Sequence, residues 1–207
     1  RTLTSGEALR AAGSVTLVVD GLSTEVDTVG WLEDLRQRLA VQDRDIKPAT
    51  QPAALAGHLR DYQLQGLQWM TQLVDLGLGG ILADDMGLGK TVMLIALHLH
   101  RVKTTSAPTL VVCPASVLHN WEREIHRFAP GVNVRRYHGA GRRLDGVRDG
   151  FVITTYATMR ADAEKLMMHR PGWGLVVADE AQNVKHPRAR TAQALRTIPA
   201  VARLALT

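Results

Sequence analysis

The sequence predicts an α/β domain built on a parallel β-sheet with helices on both faces, and three observations carry that expectation. Short apolar runs of strand length alternate with longer amphipathic stretches over most of the 207 residues. A glycine turn, Gly87-Leu88-Gly89-Lys90-Thr91, stands between the apolar run 79–83 (GGILA) and the helix-like run 92–100 (VMLIALHLH). A second apolar run, 174–178, ends in two adjacent carboxylates, Asp179 and Glu180. Parallel strands need long crossovers, and helices filling those crossovers cover both faces of the sheet.

Taken in order, residues 14–20 (SVTLVVD) read as a strand and residues 31–39 as a short amphipathic helix with Trp31, Leu32, Leu35 and Leu39 on one face. The run 46–55 (IKPATQPAAL) has linker composition. A short N-terminal extension is therefore assigned to residues 1–57 and the main domain to 58–207. Within that domain a helix is expected over Tyr62–Leu76, with Leu64, Leu67, Trp69, Met70, Leu73 and Val74 on its buried side. Strand 79–83, the glycine turn and a helix to about Val102 follow. Next come strand 109–113 and a helix over 116–128 with Ser116 as N-cap. Strands at 132–138 and 151–156 precede a single helix over 157–169. Strand 174–179, helix 188–198 and strand 203–207 complete the pattern, in the manner of a RecA-like nucleotide-binding domain. Ligands of such sheets sit at the carboxyl ends of the strands, where both the glycine turn and Asp179-Glu180 fall.

A strand, a glycine turn and a helix start form a cradle for phosphates. Gly87 and Gly89 let backbone approach oxygen without an intervening Cβ, and the first N–H groups of the helix point at the anion. Lys90 is placed to reach the β- and γ-phosphates, and Thr91 offers a hydroxyl to Mg²⁺. The strict phosphate-loop pattern wants glycine where Asp84 stands. The second motif supplies the acidic partner: one carboxylate for the Mg²⁺ hydration shell, its neighbour to orient or deprotonate water.

Composition narrows the partners. A net charge of +5, with basic clusters at 135–143 and 185–190, suits a nucleic-acid partner without requiring one. The longest apolar runs are too short to span a bilayer, and no signal peptide is visible, so a cytoplasmic setting without membrane attachment is expected. The single Cys113 excludes an internal disulfide and a cysteine-rich zinc site. It ends an apolar strand and reads as a small core residue.

Seven segments then occur in a telling order: LRDYQLQGLQWM (59–70), DDMGLGKT (84–91), TLVVCPASVLHNWEREIHRF (109–128), YHG (137–139), VITTY (152–156), DEAQNVKHP (179–187) and ALT (205–207). Together they resemble the N-terminal lobe of the SWI/SNF family of helicase-like ATPases in helicase superfamily two, especially its bacterial members. The resemblance covers residues 58–207. It implies an ATP- and Mg²⁺-dependent ATPase that translocates on double-stranded DNA, gripping the backbone without sequence specificity, nucleoid-associated in a bacterium. It implies that Gln63 meets adenine, that Asp84, Asp85, Met86, Gly87, Leu88, Gly89, Lys90 and Thr91 hold the phosphates, and that Thr91 and Asp179 serve Mg²⁺. Glu180 activates water in that scheme and Gln182 senses the γ-phosphate. Pro114, Ala115, Ser116, Thr155, Tyr156, His138 and Gly139 fall where family members touch DNA. Trp121, which could be read as a base-stacking aromatic, fits its helical spacing better as core. The family's next motif would continue beyond Thr207 with Gly-Thr-Pro, so a second RecA-like lobe with an arginine finger is expected in the complete motor, and this lobe alone is expected to be weak or inactive. Two other readings are a strand-separating helicase of the same superfamily and a non-catalytic module binding nucleotide or an unidentified protein. DEAQ at 179–182, in place of DEAD, argues against an RNA helicase.

Overall fold

The computed structural model describes residues 16–19, 22–25, 50–83 and 87–207. The chain divides into two units, Arg1–Pro48 and Ala49–Thr207. In the first, β1 (Thr16–Val19) pairs antiparallel with β2 (Leu22–Glu25) as a hairpin whose innermost pair is Val19 and Leu22. The strand expected at 14–20 contains β1, and β2 is an addition. The helix expected over 31–39 lies outside the described residues.

The second unit takes in residues ahead of His58. Leu55 and Leu59 bury in its core, and the Ala56 N–H donates to the Phe128 carbonyl at 2.8 Å. Its elements are α1 (Asp61–Asp75), β3 (Gly80–Leu82), α2 (Lys90–Arg101), β4 (Thr109–Cys113), α3 (Leu118–Phe128), β5 (Val134–Tyr137), β6 (Phe151–Thr155), α4 (Tyr156–Ala161), α5 (Ala163–Met167), β7 (Trp173–Ala178), α6 (Arg190–Thr197) and β8 (Ala200–Leu206). The strands form one six-stranded sheet in the order β3-β8-β7-β4-β6-β5. Every neighbouring pair is parallel, the RecA-like arrangement expected.

Alternation along the central strands splits the core into two layers. Val111 and Cys113 of β4 face one side with Ile153, Leu175 and Val177, under Leu67 and Met70 of α1, Leu94 and Leu97 of α2, and Trp121 and Ile125 of α3. Leu110 and Val112 face the other with Val152, Val176, Met159, Leu166 and Ile198. Burial on both faces explains why these strands read as unbroken apolar runs. Each fully buried side chain of this size contributes about 1.5–3 kcal/mol relative to exposure.

Three expectations need correction. Trp69 is 39% exposed, and Gln63 and Thr71 occupy the buried side of α1 instead. The single helix expected over 157–169 is broken at Asp162 into α4 and α5. There the Asp162 carboxylate turns inward to the Tyr137 hydroxyl at 2.8 Å and the Arg142 Nε at 2.6 Å. Those charge-assisted contacts hold its carboxyl down at about 2, the Arg142 guanidinium being the main cause. Ser116 is not an N-cap: it lies inside a 3₁₀ turn, Ala115–Val117, and its side chain caps nothing.

Candidate active site

The six strands end, in spatial order across the sheet, at the glycine turn, Thr207, Asp179, Pro114, Tyr156 and His138. Sheet order thus places the expected phosphate and acidic residues after β3 and β7, with Thr207, after β8, between them, and the expected DNA residues at the ends of β4, β6 and β5. At about 4.8 Å per strand the two outer elements of the second group begin roughly 10–15 Å from Asp179.

On the nucleotide side, Gly87 and Gly89 have φ of 88° and 80°, a left-handed conformation that L side chains rarely adopt. Gly89 is the N-cap of α2 and no side chain caps that helix start, which leaves backbone donors aimed outward for an anion. Beside Gly87 nothing lies within 4 Å of an added Cβ, whereas at Gly89 a Cβ would meet the Gln63 Nε2 at 2.5 Å. Gln63 is 8% exposed and acts as a strut for the turn. Its Nε2 donates to the Leu88 carbonyl at 3.1 Å and its Oε1 accepts from the Arg60 N–H at 2.9 Å. One amide hydrogen and one lone pair remain for a base edge. Lys90 opens α2, and its charge weakly opposes the burial that raises the Asp179 carboxyl. Thr91 follows it, half-buried. Asp84, Asp85 and Met86 lie outside the described residues.

Asp179 is the most firmly held group of the site. The Trp121 indole N–H donates to its Oδ2 at 2.7 Å, and the Glu180 N–H donates to its Oδ1 at 2.9 Å. Its carbonyl accepts from the Tyr156 hydroxyl at 2.7 Å, and its own N–H donates to the Val112 carbonyl at 2.8 Å. Burial pushes its carboxyl above the usual range, opposed by the indole and backbone donors. Glu180 has φ 52°, the only non-glycine residue with positive φ among those described. A left-handed glutamate costs free energy, and such residues cluster at functional sites. Gln182 Nε2 donates to Glu180 Oε2, and the Thr207 hydroxyl donates to Gln182 Oε1 at 3.2 Å. The Thr207 N–H in turn donates to the Leu82 carbonyl at 3.2 Å. A polar chain therefore runs from the acidic pair to the strand that leads into the glycine turn.

The residues fit Mg²⁺. Asp179 and Thr91 supply hard oxygen donors, the kind that suits Mg²⁺ and its bound water. Among the described residues no group of three His, Cys, Asp or Glu forms a cage. Mg²⁺ sites shared with phosphates need none.

On the other side, Ala115, Ser116, His138 and Gly139 are exposed and Pro114 is half-buried. Thr155 departs from expectation: it is 4% exposed, accepts from the Thr158 N–H and donates to the Thr158 hydroxyl. The Tyr156 hydroxyl is likewise turned inward, onto Asp179, and burial raises its pKa. Neither hydroxyl faces a phosphate in this arrangement. Cys113 is buried, with its thiol pushed up to about 12 by burial, which suits an inert core residue. Two features were missed from sequence: the Trp121 N–H on Asp179 and the Tyr156 hydroxyl on its carbonyl. Each joins residues far apart in the chain, so no local pattern signals it.

Comparison with known proteins gives the family and relatives of the chain. Residues 62–207 match the family model described as SNF2-related domain. The chain is 37% identical over 166 residues to the ISWI chromatin-remodeling complex ATPase CHR17 of Arabidopsis thaliana, covering 76% of this chain and 16% of that protein. It is 37% identical over 185 residues to Helicase SWR1 of Saccharomyces cerevisiae, covering 84% of this chain and 12% of that protein. Among solved structures, the Sulfolobus solfataricus SWI2/SNF2 ATPase core in complex with dsDNA superposes with a TM-score of 0.70 at 36% identity, over 78% of this chain and 34% of that one. The chain thus spans between 12% and 34% of the length of these relatives. No helix among the described residues is long and apolar enough to cross a membrane.

Proposed function

The chain belongs to the SNF2-related family, and from that premise we propose that it is the ATP-binding lobe of a DNA-dependent ATPase that translocates on double-stranded DNA. The observation that carries the reading is the sorting of one sheet edge into two functions, with Asp179 at the seam. The glycine turn and Lys90 bind the phosphates. Glu180 orients and accepts a proton from the attacking water, and Gln182, bonded to Glu180, senses the γ-phosphate. Mg²⁺, held by Thr91 and through water by Asp179, would neutralise charge on the phosphates. Gln63 braces the turn and presents its remaining amide valences to adenine. Ala115, Ser116, His138 and Gly139 meet the duplex backbone, so binding is insensitive to sequence and sensitive to salt, with a slope near −0.9 per phosphate neutralised.

The complete motor would require a second lobe to close over the nucleotide and supply an arginine finger, worth roughly 10³–10⁵ in rate. The test compares this chain with the intact protein that contains it. The chain should bind nucleotide and duplex DNA weakly and show little turnover. The intact protein should hydrolyse ATP severalfold faster with duplex DNA and displace no strand from a partial duplex. DNA-stimulated turnover by the chain alone would overturn the two-lobe scheme, and strand displacement would favour a helicase.

A further inference from the structure

We propose that Trp121 is a positioning residue for the Asp179 carboxylate, linking it to the exposed segment Pro114–Ser116 that precedes α3. The inference rests on the nucleotide-site reading above and deepens it.

Trp121 is 1% exposed and sits in the main core layer beneath α3. Packing explains why the ring is buried but not where its N–H points, since phenylalanine would fill a core equally well without a donor to satisfy. The indole N–H reaches Asp179 Oδ2 at 2.7 Å across 58 residues of sequence. With Oδ1 held by the Glu180 N–H and the carbonyl by Tyr156, this donor completes the fixing of both carboxylate oxygens. Without it Oδ2 loses its indole donor, and the plane of the carboxylate is less constrained. Outer contacts of this kind orient metal ligands, and losing one typically costs about 10–100-fold in metal affinity.

The coupling follows from chain geometry. Pro114 to Val117 lead directly into α3, and Trp121 occupies the first turn of that helix. Any ligand gripping the exposed Ala115 and Ser116 acts on a rigid helix whose indole ends on the carboxylate. A hydrogen bond of 2.7 Å weakens as it lengthens or bends, so a displacement of the helix registers at Asp179.

Trp121→Phe removes the donor and keeps a buried aromatic ring, and a thermal melt checks that the variant folds. In this chain, Trp121→Phe should raise the Mg²⁺ concentration for half-maximal ADP binding about tenfold while leaving ADP affinity in EDTA unchanged. A merely structural tryptophan would move both or neither. The second measurement is the indole ¹H–¹⁵N resonance of Trp121, assigned by its loss in the variant. It should move in Asp179→Asn, and it should move in the wild-type chain when a short DNA duplex is added. An unchanged resonance in Asp179→Asn overturns the tie, an unchanged resonance with duplex overturns the coupling, and a wild-type Mg²⁺ dependence in Trp121→Phe overturns the positioning role. Should the wild-type chain bind no ADP at all, the nucleotide-site reading fails, and the resonance in Asp179→Asn still decides the tie.

Discussion

At the carboxyl end of β7, Asp179 and Glu180 hold charged oxygens beside a glycine turn, while at the amino ends of neighbouring strands Thr109, Phe151 and Trp173 close over two imidazoles. His98, 2% exposed, shares a 2.9 Å hydrogen bond with the Thr109 hydroxyl and lies 4.2 Å from the Phe151 ring centroid. His169 lies 4.5 Å from the Trp173 ring, whose N–H donates to the Leu166 carbonyl at 2.7 Å. The ring nitrogens His98 Nε2 and His169 Nε2 meet no hydrogen-bond partner among the described residues. One end keeps charge, strain and spare lone pairs. The other buries both rings, with Arg101 and Asp149 close enough to act on His98. The difference teaches that the sheet separates function from foundation along the strand axis, so damage at the two ends should show in different measurements.

The largest effect is expected at the functional end. Glu180→Gln in the intact protein should lower ATP turnover by 10²–10⁴-fold, the range for a lost general base, while nucleotide binding survives. Single-turnover kinetics beside an equilibrium binding curve would show it, and retained turnover would move the role elsewhere.

Acid should strike the foundation. Burial holds His98 at about 4, against 6.5 in an unfolded chain. Between those values the unfolded chain binds the proton and the folded chain does not, so stability is complete above about pH 6.5 and falls as pH drops toward 4. The full difference is about 3 kcal/mol. Urea melts at pH 7 and 4.5 should reveal the loss, and His98→Gln should flatten the dependence. A wild-type slope in that variant would clear His98 of responsibility.

Lys90→Ala should weaken MgATP binding by one to two decades, the 1.5–3 kcal/mol of a charge-assisted contact, with the fold intact. Calorimetric titration of the folded variant checks both halves of that statement. The smallest effect belongs to Gly89→Ala, which must adopt φ 80° and displace Gln63. A loss of about 1–2 kcal/mol in chain stability is expected by denaturant melt. No loss would mean that the turn relaxes to another conformation.

Much of this plan was legible in the sequence because the signals are local. The runs 109–113 and 151–155 are mostly apolar, with only threonine as a polar residue, as suits strands covered on both faces, and both were placed to within a residue. The glycine turn announces itself through residue types that no ordinary helix start requires. What escaped depends on partners distant in sequence. Asp162 breaks a helix because Tyr137 and Arg142 claim its carboxylate from another strand end. Trp121 looks like core from its spacing, and is core, yet its single polar atom serves Asp179. Thr155 and Tyr156 sit at a strand end where DNA contacts were expected, but their hydroxyls are drawn inward by Thr158 and Asp179.

The hydrogen-bond chain from Glu180 through Gln182 to Thr207 has a thermodynamic corollary. Such a linkage has no preferred direction: if nucleotide occupancy changes the affinity of the β8 terminus for whatever grips it, that grip changes nucleotide affinity by the same factor. A neighbour holding the end of β8 is then an effector of the proposed nucleotide site without touching it, and nucleotide is equally an effector of that neighbour's hold.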